Sequence, residues 1–151
     1  MRTACLLLTA VLALAGCSSD DGAPQVPAGD DGRVEGVLDG VELELEVADT
    51  VEERALGLMH RESVPPGTGM VFLYDEPSTG RYYMFNVPIP LRAVFVREGE
   101  VVSTVVMPPC ELAVASECPT YGADGPFDTV VETAPETLPD VQPGDAFELV
   151  G

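Results

Sequence analysis

Apolar and acidic residues alternate without a break from Val41 to Val47. Val41, Leu43, Leu45 and Val47 fall on one side, and Glu42, Glu44 and Glu46 on the other. A period of two belongs to a strand with one face in a core and one in water. Asp39-Gly40 just before it is a hairpin turn signal, so residues 34–38 and 41–47 are predicted to pair. The period then changes. Asp49-Thr50-Val51-Glu52-Glu53-Arg54-Ala55-Leu56-Gly57 predicts a helix of about two turns. Asp49 or Thr50 can cap it, Glu52 or Glu53 can complete a capping box, and Gly57 can end it.

Beyond Pro65-Pro66-Gly67 the alternating pattern returns in short pieces. Strands are predicted at 70–74 and 81–85, around a loop containing Pro77 and Gly80. A second hairpin joins 92–97 to 101–107 through Glu98-Gly99-Glu100, and late strands fall at 127–133 and 146–150. Fourteen prolines leave little room for long helices. The fold class that follows is mostly β: a compact antiparallel β-sandwich or barrel-like domain with one short helix.

The N-terminal segment obeys different rules. Arg2 precedes an apolar run from Ala4 to Ala15, too short for a permanent membrane span and ordered like a secretory signal peptide. Leu14-Ala15-Gly16-Cys17 resembles the lipobox of bacterial lipoproteins, whose cysteine is acylated and becomes the first mature residue. The expected organisation is a lipoprotein signal peptide at 1–16, then lipidated Cys17 and a disordered tether at 17–33. A single β-rich domain follows at 34–151. Two or more acyl chains give stable anchoring, so the protein is expected to be exported and held by Cys17 at the outer face of the cell membrane.

Charge narrows the partners. A net charge of −19 argues against nucleic acid, which requires a basic face. Anionic headgroups would repel such a surface, leaving the lipid anchor as the membrane contact. The distribution is uneven, however. Residues 54–97 hold Arg54, Arg61, Arg81, Arg92 and Arg97 against Glu62, Asp75 and Glu76, a locally basic island. These arginines either pair with surrounding carboxylates or form a small anion-binding surface. Six of the nine aromatic residues, Phe72, Tyr74, Tyr82, Tyr83, Phe85 and Phe95, share that stretch. On a strand, Arg81, Tyr83 and Phe85 would face one way, and Tyr82 and Met84 the other. Arg54, Arg81, Tyr83, Met84 and Asn86 are therefore the candidate ligand-binding residues, with Arg81, Tyr83 and Asn86 expected at the rim of one concavity.

Cys110 and Cys118 form an even pair at short spacing, read as a disulfide in an oxidising compartment. Closing that loop restricts the unfolded chain by about 2.5 kcal/mol. Other chemistry is sparse. His60 is the one histidine and no Gly-x-Ser-x-Gly surrounds a serine, so no catalytic residue is assigned. Met59, His60, Met70, Met84 and Met107 could suggest a copper site, but methionines in β-rich segments read as core filler. No metal and no cofactor are assigned. Asp75, Glu76 and Asp124 are the carboxylates to examine for hydrolysis, which needs two acids converging on a cleft.

Several motifs then occur in a familiar order. Glu46-Val47-Ala48-Asp49-Thr50 leads into Glu53-Arg54-Ala55-Leu56-Gly57-Leu58-Met59; Gly69-Met70-Val71-Phe72, Met84-Phe85-Asn86 and Ile89-Pro90-Leu91 follow. Pro108-Pro109-Cys110, Cys118-Pro119-Thr120-Tyr121-Gly122 and Gln142-Pro143-Gly144-Asp145 complete the set. Together they resemble the uncharacterised bacterial and archaeal family called domain of unknown function 192, over about residues 38–150. The resemblance implies a compact, mostly antiparallel β-fold, often exported or lipid-anchored, and no established activity. Phe85-Asn86-Val87 stands where that family usually has Lys-Asn-Thr, and Arg92 where it usually has Asp.

The functional expectation is a lipid-anchored envelope protein that binds a small polar or anionic ligand or plays a structural part, rather than an enzyme. An envelope hydrolase using carboxylate acid–base chemistry is the alternative, and a copper-binding exported protein ranks behind it. Expected partners are the membrane, through the lipid anchor, and a small-molecule or envelope ligand. The oligomeric state is not legible.

Overall fold

The computed structural model describes residues 32–150; the signal segment, Cys17 and the tether as far as residue 31 lie outside the described residues. Nine strands and one α-helix follow in order. They are β1 (Arg33–Leu38), β2 (Val41–Ala48), α1 (Val51–Leu56), β3 (Thr68–Ser78), β4 (Tyr82–Tyr83) and β5 (Leu91–Arg97), then β6 (Glu100–Met107), β7 (Thr120–Tyr121), β8 (Phe127–Thr133) and β9 (Phe147–Val150). Seven strands form one sheet in the order β6-β5-β8-β3-β2-β1-β9, while β4 and β7 form a small second sheet. Only β2 and β3 run parallel, joined by the crossover that contains α1.

The large sheet curls until its edges touch. Glu100 bridges Ala146, the Val101 amide donates to Asp145 O at 2.8 Å, and the Phe147 amide donates to Gly99 O at 2.8 Å. The result is a half-barrel. Its concave face holds one core, to which every strand contributes: Leu38, Leu45, Val71, Val94, Val101, Val131 and Phe147. A second core covers the outer face of β3, β8 and β5. Met70, Phe72, Ala93, Phe95 and Val130 meet Leu58, Met84, Val87 and Leu91 there. This explains two sequence patterns at once. β2 is covered on one face and alternates, whereas the middle strands are covered on both and read as Met70-Val71-Phe72-Leu73 and Ala93-Val94-Phe95-Val96.

Both hairpins form on the turns the sequence offered, with positive φ at Asp39 and Gly40 (47° and 81°) and at Glu98 and Gly99 (53° and 81°). The helix begins as predicted. Thr50 accepts from the Glu53 amide at 3.2 Å, and the Glu53 carboxylate accepts from the amides of Thr50 and Asp49. The Thr50 backbone bond, first among several, holds that carboxyl below its usual range.

The middle of the chain differs from the expected pattern. β3 runs on to Ser78, through a break in its ladder with β8 between Leu73 and Ser78 where Pro77 has no amide to donate. β4 is only two residues long and pairs with β7. The segment from Gly80 to Leu91 is thus a strap across the outer face. Cys110 and Cys118 form a disulfide with Cα atoms 5.8 Å apart, and Cys110 also bridges Phe85 of the strap.

Candidate ligand-binding site

The floor of the site comes from the middle of the large sheet. Phe72 and Tyr74 lie two residues apart on β3 and share its outer face. Glu132 of β8 stands between Met70 of β3 and Ala93 of β5 in the two ladders, on that same face. It is 5% exposed. No hydrogen bond or ion pair joins its carboxyl to another described residue. Burial raises its pKa from 4.5 to about 8, because the charged form loses water and gains no partner. At neutral pH Glu132 is mainly a neutral acid.

The walls come from two other segments. On one side stand α1 and the turn after it, with Arg54, Leu58 and Met59. On the other stands the strap, with Arg81, Tyr82, Tyr83 and Met84. Tyr82 is wedged edge-on against Phe72 and Phe95, with ring centres 5.3 and 5.7 Å away. Its hydroxyl lies 2.8 Å from that of Tyr74. Burial, and then the bond to Tyr74, push the Tyr82 phenol well up, so it stays protonated. Between floor and walls lies a partly open cavity of about 250 Å³. That is roughly the liquid volume of eight waters.

Charge at the rim is distinctive. Arg33 pairs with Glu44 and Glu46, Arg61 with Glu46 at 2.6 Å, and Arg97 with Glu98 and Asp128. The two arginines of the cavity do otherwise. Arg54 donates to the carbonyls of Asp49 and Leu73 and lies 4.8 Å over the Tyr74 ring. Arg81 donates to Thr120 through Oγ1 at 2.8 Å and the carbonyl at 2.7 Å. Neither has a carboxylate partner among the described residues. Of the middle-third arginines, Arg61 and Arg97 pair with carboxylates, and Arg54 and Arg81 line the cavity without them; Arg92, away from the cavity, also has no carboxylate and donates to Thr104 Oγ1 at 3.4 Å.

Of the residues singled out in the sequence, Arg54, Arg81, Tyr83 and Met84 line this cavity, Met84 as a buried wall. Asn86 does not join Arg81 and Tyr83 there. It takes a turn conformation at φ 58°, its carbonyl accepts from the His60 amide at 2.8 Å, and it lines a neighbouring depression with His60 and Cys110. Asp75, Glu76 and Asp124 are exposed, and none lines the cavity. Met70, Met84 and Met107 are buried in the outer core and His60 is exposed. Among the described residues no three His, Cys, Asp or Glu side chains gather as a metal site. Sequence reading missed Glu132. Its signal was an acid directly after Val130-Val131 in a central strand.

Comparison with known proteins settles the lineage. The sequence profile of the DUF192 family, described as "Uncharacterized ACR", matches residues 34–149. The chain belongs to the DUF192 family. Two solved structures share its fold. One is described as a "putative transcription regulator" from Sinorhizobium meliloti 1021, with 26% identity and a TM-score of 0.66 over 78% of this chain and 92% of that one. The other is a protein of unknown function from Novosphingobium aromaticivorans DSM 12444, with 28% identity and a TM-score of 0.62 over 85% of this chain and 94% of that one. No curated protein matches.

Proposed function

We propose that this DUF192 protein is an exported, lipid-anchored binding module of the cell envelope that takes a small anionic ligand into the cavity between Arg54, Arg81 and Glu132. The observation that carries this reading is that Arg54 and Arg81, neither paired with a carboxylate, line the same cavity. In a chain of net charge −19, acids abound, and pairing is the usual fate of an arginine. Two that face one cavity with only uncharged acceptors leave donors and positive charge for a ligand. Phe72, Leu58 and Val87 supply apolar wall, the mixture expected of a small-molecule site. Hydrolysis by paired acids finds less support, since Glu132 is the one carboxylate lining the cavity among the described residues. The S. meliloti relative is described as a "putative transcription regulator"; direct binding of nucleic acid by this chain would need a basic face that its acidic composition opposes. Leu14-Ala15-Gly16-Cys17 supports export and anchoring.

The test is thermal denaturation at fixed ionic strength with acetate, inorganic phosphate or uncharged glucose. A ligand that binds only the folded state raises Tm with its concentration. The anions should raise it and glucose should not. A flat response to both anions would contradict the reading.

A further inference from the structure

Glu132 is the least expected feature of the cavity. An anion site built only from arginines and an apolar wall would have no use for a buried carboxyl, and an ionised one would repel the ligand. Yet Glu132 lies on the cavity floor, 5% exposed, with no partner among the described residues. Every titratable group facing it can be named. Arg54 comes from α1, Tyr74 from β3, and Arg81, Tyr82 and Tyr83 from the strap; Leu91 and Ala93 of β5 bring none. Tyr74 and Tyr82 share one hydroxyl hydrogen bond, and neither hydroxyl bonds the Glu132 carboxyl. The Glu132 carboxyl is left without a hydrogen bond among the described residues and borders the cavity.

Resting on the anion-site reading, we infer that the ligand is a short oxo- or hydroxy-acid. Its carboxylate meets the arginine rim while its second oxygen accepts a hydrogen bond from the protonated carboxyl of Glu132. A carboxylic acid kept neutral by an apolar site is a good donor to a ligand oxygen. The cavity volume of about 250 Å³ admits an acid of that size. Filling it with an anion also strengthens the hold on the proton, because like charges in a desolvated site are costly. Binding and protonation of Glu132 therefore support each other. A zwitterion such as an amino acid would demand the reverse, an ionised Glu132 against its ammonium group.

The experiment is calorimetric titration of the full chain, extracted from the membrane in detergent, with lactate, acetate, inorganic phosphate and alanine at pH 7 and pH 9. Lactate should bind more tightly than acetate. Its affinity should be about tenfold lower at pH 9 than at pH 7, following loss of a proton with a pKa of about 8. Glu132→Gln keeps a donor and removes the titration, so it should bind lactate at pH 7 and show no such fall. Equal lactate affinity at both pH values, or the same fall in Glu132→Gln, would overturn the inference. So would alanine binding more tightly than lactate with affinity rising with pH. Acetate and phosphate binding without any Glu132 signature would overturn it and leave the anion site standing. Silence from all four probes would overturn both.

Discussion

Glu132 on β8 stands directly across the ladder from Ala93 on β5, so a buried carboxyl has a methyl group as its cross-strand neighbour. Nothing at that position offsets the loss of water. The folded state consequently holds a proton that the unfolded chain gives up near pH 4.5. The contribution of Glu132 to stability is greatest below that value and falls as pH rises through about 8, above which both states are deprotonated and the loss levels off. Urea denaturation at pH 5 and pH 8 should show this decline in the wild-type chain and a smaller one in Glu132→Gln.

The disulfide loop supports the strap. Cys110 bridges Phe85, and its amide donates to Met84 O at 3.4 Å, so the Cys110–Cys118 link braces one wall of the cavity. Replacing both cysteines with serine should cost about 2.5 kcal/mol, or about 10 °C in Tm for a domain of this size. Thiol counting on the denatured, non-reduced domain should find neither Cys110 nor Cys118 reactive. Scanning calorimetry of the double variant checks the magnitude.

Gly69 marks where β3 and β8 approach closely. A Cβ there would lie 2.2 Å from the Glu132 carbonyl oxygen, which is backbone and cannot swing aside. Gly69→Ala should destabilise the domain by about 1–3 kcal/mol, the usual cost of overpacking. Because the displaced residue is Glu132, lactate titration of the same variant should also show weakened binding.

The proposed lipid anchor is testable outside the described residues. Cys17→Ala should leave the protein unacylated, either unprocessed or released from the membrane. Mass spectrometry of the native mature N-terminus should find acyl groups on Cys17.

How much could be read in advance follows from how each element is specified. β1, β2, α1 and the β5–β6 hairpin are local: alternation, Asp39-Gly40, the Thr50/Glu53 box and Glu98-Gly99 each carry their own instructions. The parallel contact of β2 with β3 and the pairing of β4 with β7 are long-range choices that no short pattern encodes. The site divides in the same way. Arg81, Tyr83 and Met84 were legible because they are adjacent in sequence and Arg54 because its charge stood out in an acidic chain. Glu132 was not, since an acid in a strand is most often on the solvent face. Only the coverage of β8 on both sides makes it a floor residue. Asn86 misled because nearness in sequence to Met84 does not survive the left-handed turn that it adopts.

The most direct test of the anion site compares arginines that differ in partnership. Arg54 and Arg81 face the cavity without carboxylates, while Arg61 pairs with Glu46. Calorimetric titration with lactate at pH 7 should find Arg81→Gln and Arg54→Gln at least about tenfold weaker than wild type, as expected for loss of a charged hydrogen bond. Arg61→Gln should bind as wild type, and circular dichroism should show all three folded. Equal affinity in wild type, Arg54→Gln and Arg81→Gln would contradict the account.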